Sequence, residues 1–319
     1  MIAPLARFID WSVLQMASAV VGLKHAPKPK WQLEEALEFL NGPDFIPAAS
    51  NAAQIEFDGL RDFKFPTPRP GEVAENNIVY GRLYRCAERW QERPVIILLD
   101  GAFGVGYHSV IPLLARRINR AGFNAATLVA PYSLQRRPRR PIEENCLDFA
   151  RAMAQNVAEI RALTGWLLDE GCPSVGLAGG SLGGWTAGLT ACGDTRIACA
   201  VLAVPGVRTR FSPPVIWPWV RKALQALRPA HEAMDATRLN LILSTPVIPK
   251  ENILLIEAIH DLLAERQPIE ELWQKWEQPE IWRLPYGHVS ALFVPGLTGR
   301  ILDWLSPRLN SDTVRTLNK

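Results

Sequence analysis

The chain has 319 residues, a formal net charge of +3, and 48% apolar against 21% charged residues. That balance excludes a disordered or fibrous chain, and no basic stripe interleaved with aromatics is present to bind nucleic acid. The length allows one large core, and the five cysteines (Cys86, Cys146, Cys172, Cys192, Cys199), scattered and without metal-ligand spacing, read as free thiols in a reducing compartment.

Residues 1–23 read as an apolar-rich helix (Ile2, Leu5, Phe8, Ile9, Val13, Met16, Val20). Arg7 and Asp10 interrupt it, and the cleaner run from Trp11 to Leu23 is too short to span a bilayer. No positive charge precedes the apolar part, which argues against a secretory signal even though Ala17-Ser18-Ala19 mimics a cleavage site. Two readings stay open: a helix packed on the body, and one in peripheral contact with a membrane. The expected location is cytoplasmic, with or without that contact. Residues 24–76 are proline-rich, with short strands at Gln54–Phe57 and Phe63–Phe65, so 1–76 is expected to be a helix and lead-in, and 77–319 the main domain.

From there strands and helices alternate. Asn77–Cys86 alternates as a half-buried strand, whereas Val95-Ile96-Ile97-Leu98-Leu99 is continuously apolar, as a strand covered on both faces must be. The latter runs into the glycine-rich loop Asp100–Gly106, a helix over Val110–Ala121 stopped by Gly122, and a strand over Asn124–Val129. After the loop Pro131–Pro141 comes a long amphipathic helix (Leu147 to Leu167) ending at Gly171, then a strand at Val175–Ala178 and another at Arg196–Val207. This rhythm predicts an α/β fold with a doubly wound, mainly parallel sheet. Residues 208–250, rich in Pro and Trp (Pro213, Pro214, Trp217, Pro218, Trp219), break the rhythm with a basic helical piece at Arg221–Arg228 and read as a small inserted cap. Asn252–Ile259 and Glu280–Pro285 are the last strands, and Leu292–Leu305, interrupted at Pro295-Gly296, is the closing helix.

The chemistry centres on Gly179-Gly180-Ser181-Leu182-Gly183, between a strand and a small-residue helix. Such a turn strains the serine backbone and lifts its hydroxyl above the sheet, and the flanking glycines keep Cβ atoms out of a crowded crossing. A serine hydroxyl needs a base, and the base needs an oriented anion. On an elbow of this kind the partners follow in the order serine, acid, histidine. Of five histidines, His25 and His108 precede Ser181, His231 lies in the cap, and His260 precedes Asp261. His288, after the last strand, has Asp261 between it and the serine.

These residues resemble the α/β-hydrolase superfamily from about Asn77 to the C-terminus, with the elbow, Asp261 and Gly287-His288 at its triad positions. A narrower resemblance, to a poorly characterised α/β-hydrolase domain-containing subgroup, is carried by three stretches. They are the Asp100–His108 loop, Pro131-Tyr132 followed by Arg136-Arg137-Pro138, and His288-Val289-Ser290-Ala291. The superfamily often carries His-Gly in the oxyanion loop, where this chain has Asp100-Gly101. The resemblance implies that Ser181 attacks an acyl carbonyl, His288 serves as base and then acid, and Asp261 orients it. The backbone N–H groups of Leu182 and Ala102 would form the oxyanion hole, with Phe103 as the alternative donor. No metal or organic cofactor is implied. Asp261 as a cap of the segment that follows it, and Glu257 as the triad acid in its place, are the competing assignments.

Arg136, Arg137, Arg139 and Arg140 form a basic cluster on the catalytic edge. One of Arg136 and Arg137 is expected to clamp an anionic group of the substrate, unless the cluster is a solvated loop. Phe103 and Trp217 are expected to line the pocket, and Tyr107 and His108 either to line it or to pack the oxyanion loop. The expected activity is cleavage of a small-molecule carboxylic ester or thioester through an acyl-enzyme. A peptidase, an acyltransferase and a hydrolase-like protein that binds without turnover remain open, because the motif does not specify what resolves the intermediate.

Overall fold

The computed structural model describes residues 2–22, 32–46, 52–138, 146–210, 214 and 217–310. Helices α1 (Ile2–Gly22) and α2 (Leu33–Asn41) lead into strands β1 (Glu56–Asp58), β2 (Asp62–Pro66) and β3 (Ile78–Tyr84). Then β4 (Val95–Leu99), α3 (Val110–Arg120), β5 (Asn124–Leu128), α4 (Cys146–Asp169), β6 (Val175–Gly180), α5 (Leu182–Ala191) and β7 (Ile197–Ala203) alternate. Helix α6 (Pro218–Met234) precedes β8 (Ile253–Ala258), α7 (Arg266–Lys275), β9 (Glu280–Leu284), α8 (His288–Ala291) and α9 (Leu297–Leu309).

The strands form one nine-stranded sheet in the order β1-β2-β3-β5-β4-β6-β7-β8-β9. Pairings from β1 to β3 and on to β5 are antiparallel, and every pairing from β5 to β9 is parallel. The two short strands expected in the lead-in are therefore the antiparallel edge of the main sheet. Residues of β4 alternate between two cores: Val95, Ile97 and Leu99 face the layer with α2, α4, α5 and α7, while Ile96 and Leu98 face the layer with α3 and α9. This is why the strand reads as an unbroken apolar run. The chain winds from β4 to β5 on one side, then crosses to β6 on the other. The resulting crevice between β4 and β6, at their carboxyl ends, is where a fold of this kind places its ligand.

Three elements depart from expectation. Helix α2 lies where only lead-in was expected, burying Ala36 and Leu40, and α7 follows β8 with Ile269 and Leu272 buried. The closing helix is two helices broken at Gly296, which takes a left-handed φ of 78°, and the first of them begins at His288 itself. The basic piece of the cap extends to Pro218–Met234 as α6, and the cap is tied to the body where Trp185 Nε1 donates to the Leu239 carbonyl at 2.8 Å. Helix α1 packs on the body through Ala6, Asp10 and Leu14 and leaves Leu5 and Phe8 each 61% exposed; the Ala17–Ala19 side chains lie outside the described residues. Among the described residues no helix is long and apolar enough to cross a membrane.

The arginine clamp is overturned at Arg136, whose side chain is 0% exposed. Its Nη1 and Nη2 donate to the two carboxylate oxygens of Glu159 on α4, each at 2.7 Å. The same nitrogens donate to the carbonyls of Val129 and Asn76, also at 2.7 Å. Thr67 Oγ1 donates to Glu159 as well. The loop after β5 folds inward, so its guanidinium neutralises a buried carboxylate instead of facing a substrate. Arg137 is exposed, and Arg139 and Arg140 lie outside the described residues. Breaking a buried pair from one side leaves an uncompensated charge. Arg136→Ala is therefore expected to lower unfolding stability in urea by about 3–5 kcal/mol, whereas Arg137→Ala should shift it by less than about 0.5 kcal/mol.

Candidate active site

The turn from β6 into α5 is fixed by close backbone crossings. A Cβ at Gly179 would collide with the carbonyl of Gly183, and one at Gly183 with the carbonyls of Leu99 and Asp100 at the end of β4. Glycine at both positions lets strand, helix and loop converge, and the residue between them takes up the strain. Ser181 has φ 55° and ψ −118°, a backbone that an L side chain rarely adopts. Its N–H donates to the Ala203 carbonyl at 2.9 Å, and its own carbonyl accepts from Trp185 and Gly206. The half-buried serine is thus held at the switch point between β4 and β6.

The acid and base follow β8 and β9, which lie beyond β7 in the sheet. Asp261 follows β8, and its two oxygens are divided between two tasks. Oδ1 accepts from the N–H groups of Leu263 and Ala264, each at 2.7 Å, which locks the loop. Oδ2 lies 2.7 Å from Nδ1 of His288. Asp261 thus braces a turn and partners a histidine at once, but it caps no helix, since α7 begins at Arg266 with Glu265 at its N-cap. A carboxylate on Nδ1 keeps the ring proton there and leaves Nε2 as the basic nitrogen. The Asp261 side chain is 1% exposed and that of His288 9%, so this hydrogen bond is sheltered from water. Glu257, the competing acid, is fully buried in β8 and paired with Arg266 and Arg283 at 2.8 and 2.9 Å. It is a structural ion pair.

Helix α8 carries the histidine back across the sheet edge. Leu292, one turn beyond His288, lies 3.2 Å from where a Cβ on Gly180 would stand. On the other flank, a Cβ on Gly101 would lie 3.8 Å from Cβ of Ser181, so the loop after β4 borders the serine directly. Asp100 organises that loop from within. Its carboxylate accepts the N–H of Gly101 at 2.8 Å, and burial pushes it above the ordinary carboxylate range while the N–H groups of Gly101, Tyr107 and Gly106 pull it back. The residue where the superfamily often has histidine is here a brace for the backbone that follows.

Comparison with known proteins agrees with this fold. Residues 53–209 match the family model described as alpha/beta hydrolase domain containing 18. Acetyl xylan esterase 1 from Thermoanaerobacterium sp. JW/SL YS485 superposes with a TM-score of 0.60 at 13% identity, over 90% of this chain and 96% of that one. The chain has the α/β-hydrolase fold. The esterase Pf2001 of Pyrococcus furiosus shares that fold at TM-score 0.55 and 15% identity, over 82% of this chain and 100% of that one. In sequence, uncharacterised proteins of Mycobacterium tuberculosis strains CDC 1551 and H37Rv are 28% identical over 253 residues. That match covers 70% of this chain and 58% of theirs, so the chain spans under two thirds of the length of the curated relatives it matches.

The remaining expected pocket residues scatter. Tyr107 is buried beneath the Arg82 guanidinium, 4.9 Å from its ring centre, and burial raises its phenol pKa; it packs the loop rather than lining an opening. His108 is exposed, edge-on to Tyr107. Trp217 stands where cap meets α1: its Nε1 donates to the Gln15 carbonyl at 3.2 Å, and Gln15 donates to the Pro214 carbonyl at 3.0 Å. The Phe103 side chain lies outside the described residues. A cleft of about 530 Å³ lined by Arg161, Asp194, Arg196 and Arg238 sits at the opposite, amino-terminal end of the strands, with Arg161 and Arg196 turned to Asp194. One residue of the site escaped sequence reasoning: Asp10 of α1, fully buried, accepts the N–H groups of His288 and Val289 at 2.5 and 3.0 Å. Its signal was a lone carboxylate inside an apolar helix. Since a methyl at Gly183 has only backbone to push against, Gly183→Ala is expected to cost about 3 kcal/mol, read as a lowered midpoint in thermal unfolding.

Proposed function

We propose that the protein is a serine hydrolase that cleaves carboxylic esters or thioesters through an acyl-enzyme. The Ser181 hydroxyl attacks the acyl carbonyl as His288 Nε2 takes its proton. The imidazolium then gives that proton to the departing alcohol or thiol. Water, deprotonated by the same nitrogen, releases the acid and restores the serine. Asp261 holds the tautomer and stabilises the imidazolium. The backbone N–H groups of Leu182, at the start of α5, and of Ala102 receive the oxyanion, the group of interactions that commonly carries the largest share of such catalysis.

The observation that carries this reading is the sheltered 2.7 Å contact between Asp261 and His288 Nδ1. It is joined by a serine held at φ 55° on the neighbouring elbow. A histidine kept for packing alone does not need a buried carboxylate on one nitrogen while Leu292, just after α8, approaches Gly180 of the serine strand. The similar folds of two esterases agree with an ester substrate.

The test is labelling by a fluorophosphonate together with turnover of activated esters of increasing acyl length. Labelling and a burst of product are expected in the wild type, and neither in Ser181→Ala. Undiminished labelling of Ser181→Ala, or a wild type that neither labels nor turns over, overturns the reading. Asp261→Asn removes the anion and favours the wrong tautomer, and should lower kcat by about 10³–10⁴-fold.

A further inference from the structure

We infer that Asp10, on the N-terminal helix, is a positioning residue for the base His288 and ties the acid and base loops together; this rests on the hydrolase reading above. Its carboxylate lies 278 residues away in sequence from the group it holds. Oδ2 accepts the His288 N–H at 2.5 Å and, more weakly, the Leu262 N–H at 3.4 Å, while Oδ1 accepts the Val289 N–H at 3.0 Å. Leu262 is the neighbour of Asp261. One side chain therefore grips the backbone of the base and the backbone beside the acid.

Helix α8 has four residues, His288–Ala291, a single turn with almost no stability of its own. The N–H groups of a first turn have no partner within the helix, and a carboxylate there satisfies them and complements the helix dipole. Here the Gly287 N–H goes to Ser290 Oγ at 3.0 Å, and the next two go to Asp10. Without that carboxylate nothing comparable at this end of α8 would fix the main chain from which the imidazole hangs.

Gly287 shows how closely the two are fitted. A Cβ at this position would stand 2.5 Å from Asp10 Oδ2, although the glycine's φ of −92° is one any residue adopts. The glycine before the histidine is required by the approach of Asp10, not by the turn. Asp10 itself is fully buried, and among the described residues its hydrogen-bond partners are backbone N–H groups. A carboxylate is costly to bury on such terms unless every oxygen is used. Helix α1 thus supplies part of the active-site framework.

Loss of about 1 Å of alignment typically lowers turnover by about 100-fold. Asp10→Ala is expected to lower kcat on an activated ester by about 10- to 100-fold with KM within about twofold, the pattern of a group that serves the transition state alone. Asp10→Asn, which keeps one acceptor oxygen, should fall between that variant and the wild type. Arg7→Ala, exposed on the same helix, should match the wild type. A kcat for Asp10→Ala equal to wild type overturns the inference, as does a loss confined to KM. Should Asp10→Ala fail to fold, hydrogen exchange answers the same question in the inactive Ser181→Ala background. There Asp10→Asn should speed exchange at the His288 and Val289 amides by about tenfold or more, with α5 and β6 unchanged. Unaltered exchange at both amides overturns the tether. Wild-type protein that fails to label while the exchange result holds would instead refute the hydrolase reading and leave the tether standing.

Discussion

The crossing of three backbones beneath Ser181 is the constraint on which the rest of the site depends. The first turn of α5 runs so close to the ends of β4 and β6 that Gly179 and Gly183 have no room for a side chain. The strain that remains falls on Ser181, a non-glycine residue at positive φ. Burial of β4 and β6 in two cores at once provides the stability that holds such a conformation. Ser181 therefore keeps its unusual backbone because the sheet is rigid, and a looser sheet would let the elbow relax.

Buried carboxylates do the remaining positioning, and their partners separate structural from chemical roles. Glu159 faces Arg136, and Glu257 faces Arg266 and Arg283, so each is matched by guanidinium charge. Asp10 and Asp100 instead collect backbone N–H groups, and each braces a loop that ends beside the serine. Asp261 alone divides its oxygens between backbone and an imidazole. A carboxylate matched by a fixed cation is already neutralised and gains little when a neighbouring imidazole becomes charged. One that bonds to the imidazole itself gains the most. The partner of each acid, more than its burial, distinguishes Asp261 from the others.

Much of this was legible in the chain as written. The unbroken apolar run at Val95–Leu99, the Gly122 and Gly171 stops with their positive φ, and the strand–elbow–helix pattern depend on neighbours a few residues apart, where periodicity is informative. The order of Ser181, Asp261 and His288 is likewise a property of sequence. What was illegible is long-range. Arg136 reads as one of a surface run of arginines, because its partner Glu159 is 23 positions away on a helix whose facing could not be seen. Asp10 reads as an interruption in an apolar helix, since the amides it holds belong to the far end of the chain. Helix α2 was hidden by the prolines around it, and α8 by its length, since one turn leaves no period to detect.

Helix α1 gathers these threads. Asp10 holds the base loop, and one turn later Gln15 exchanges hydrogen bonds with Trp217 and Pro214 of the cap. The buried face Ala6, Asp10, Leu14 recurs every four residues, so the same stripe that docks the helix also aims the carboxylate. Both attachments sit on one cylinder less than two turns long between them. The segment that looks most separable from the fold thus joins the cap to the backbone of α8.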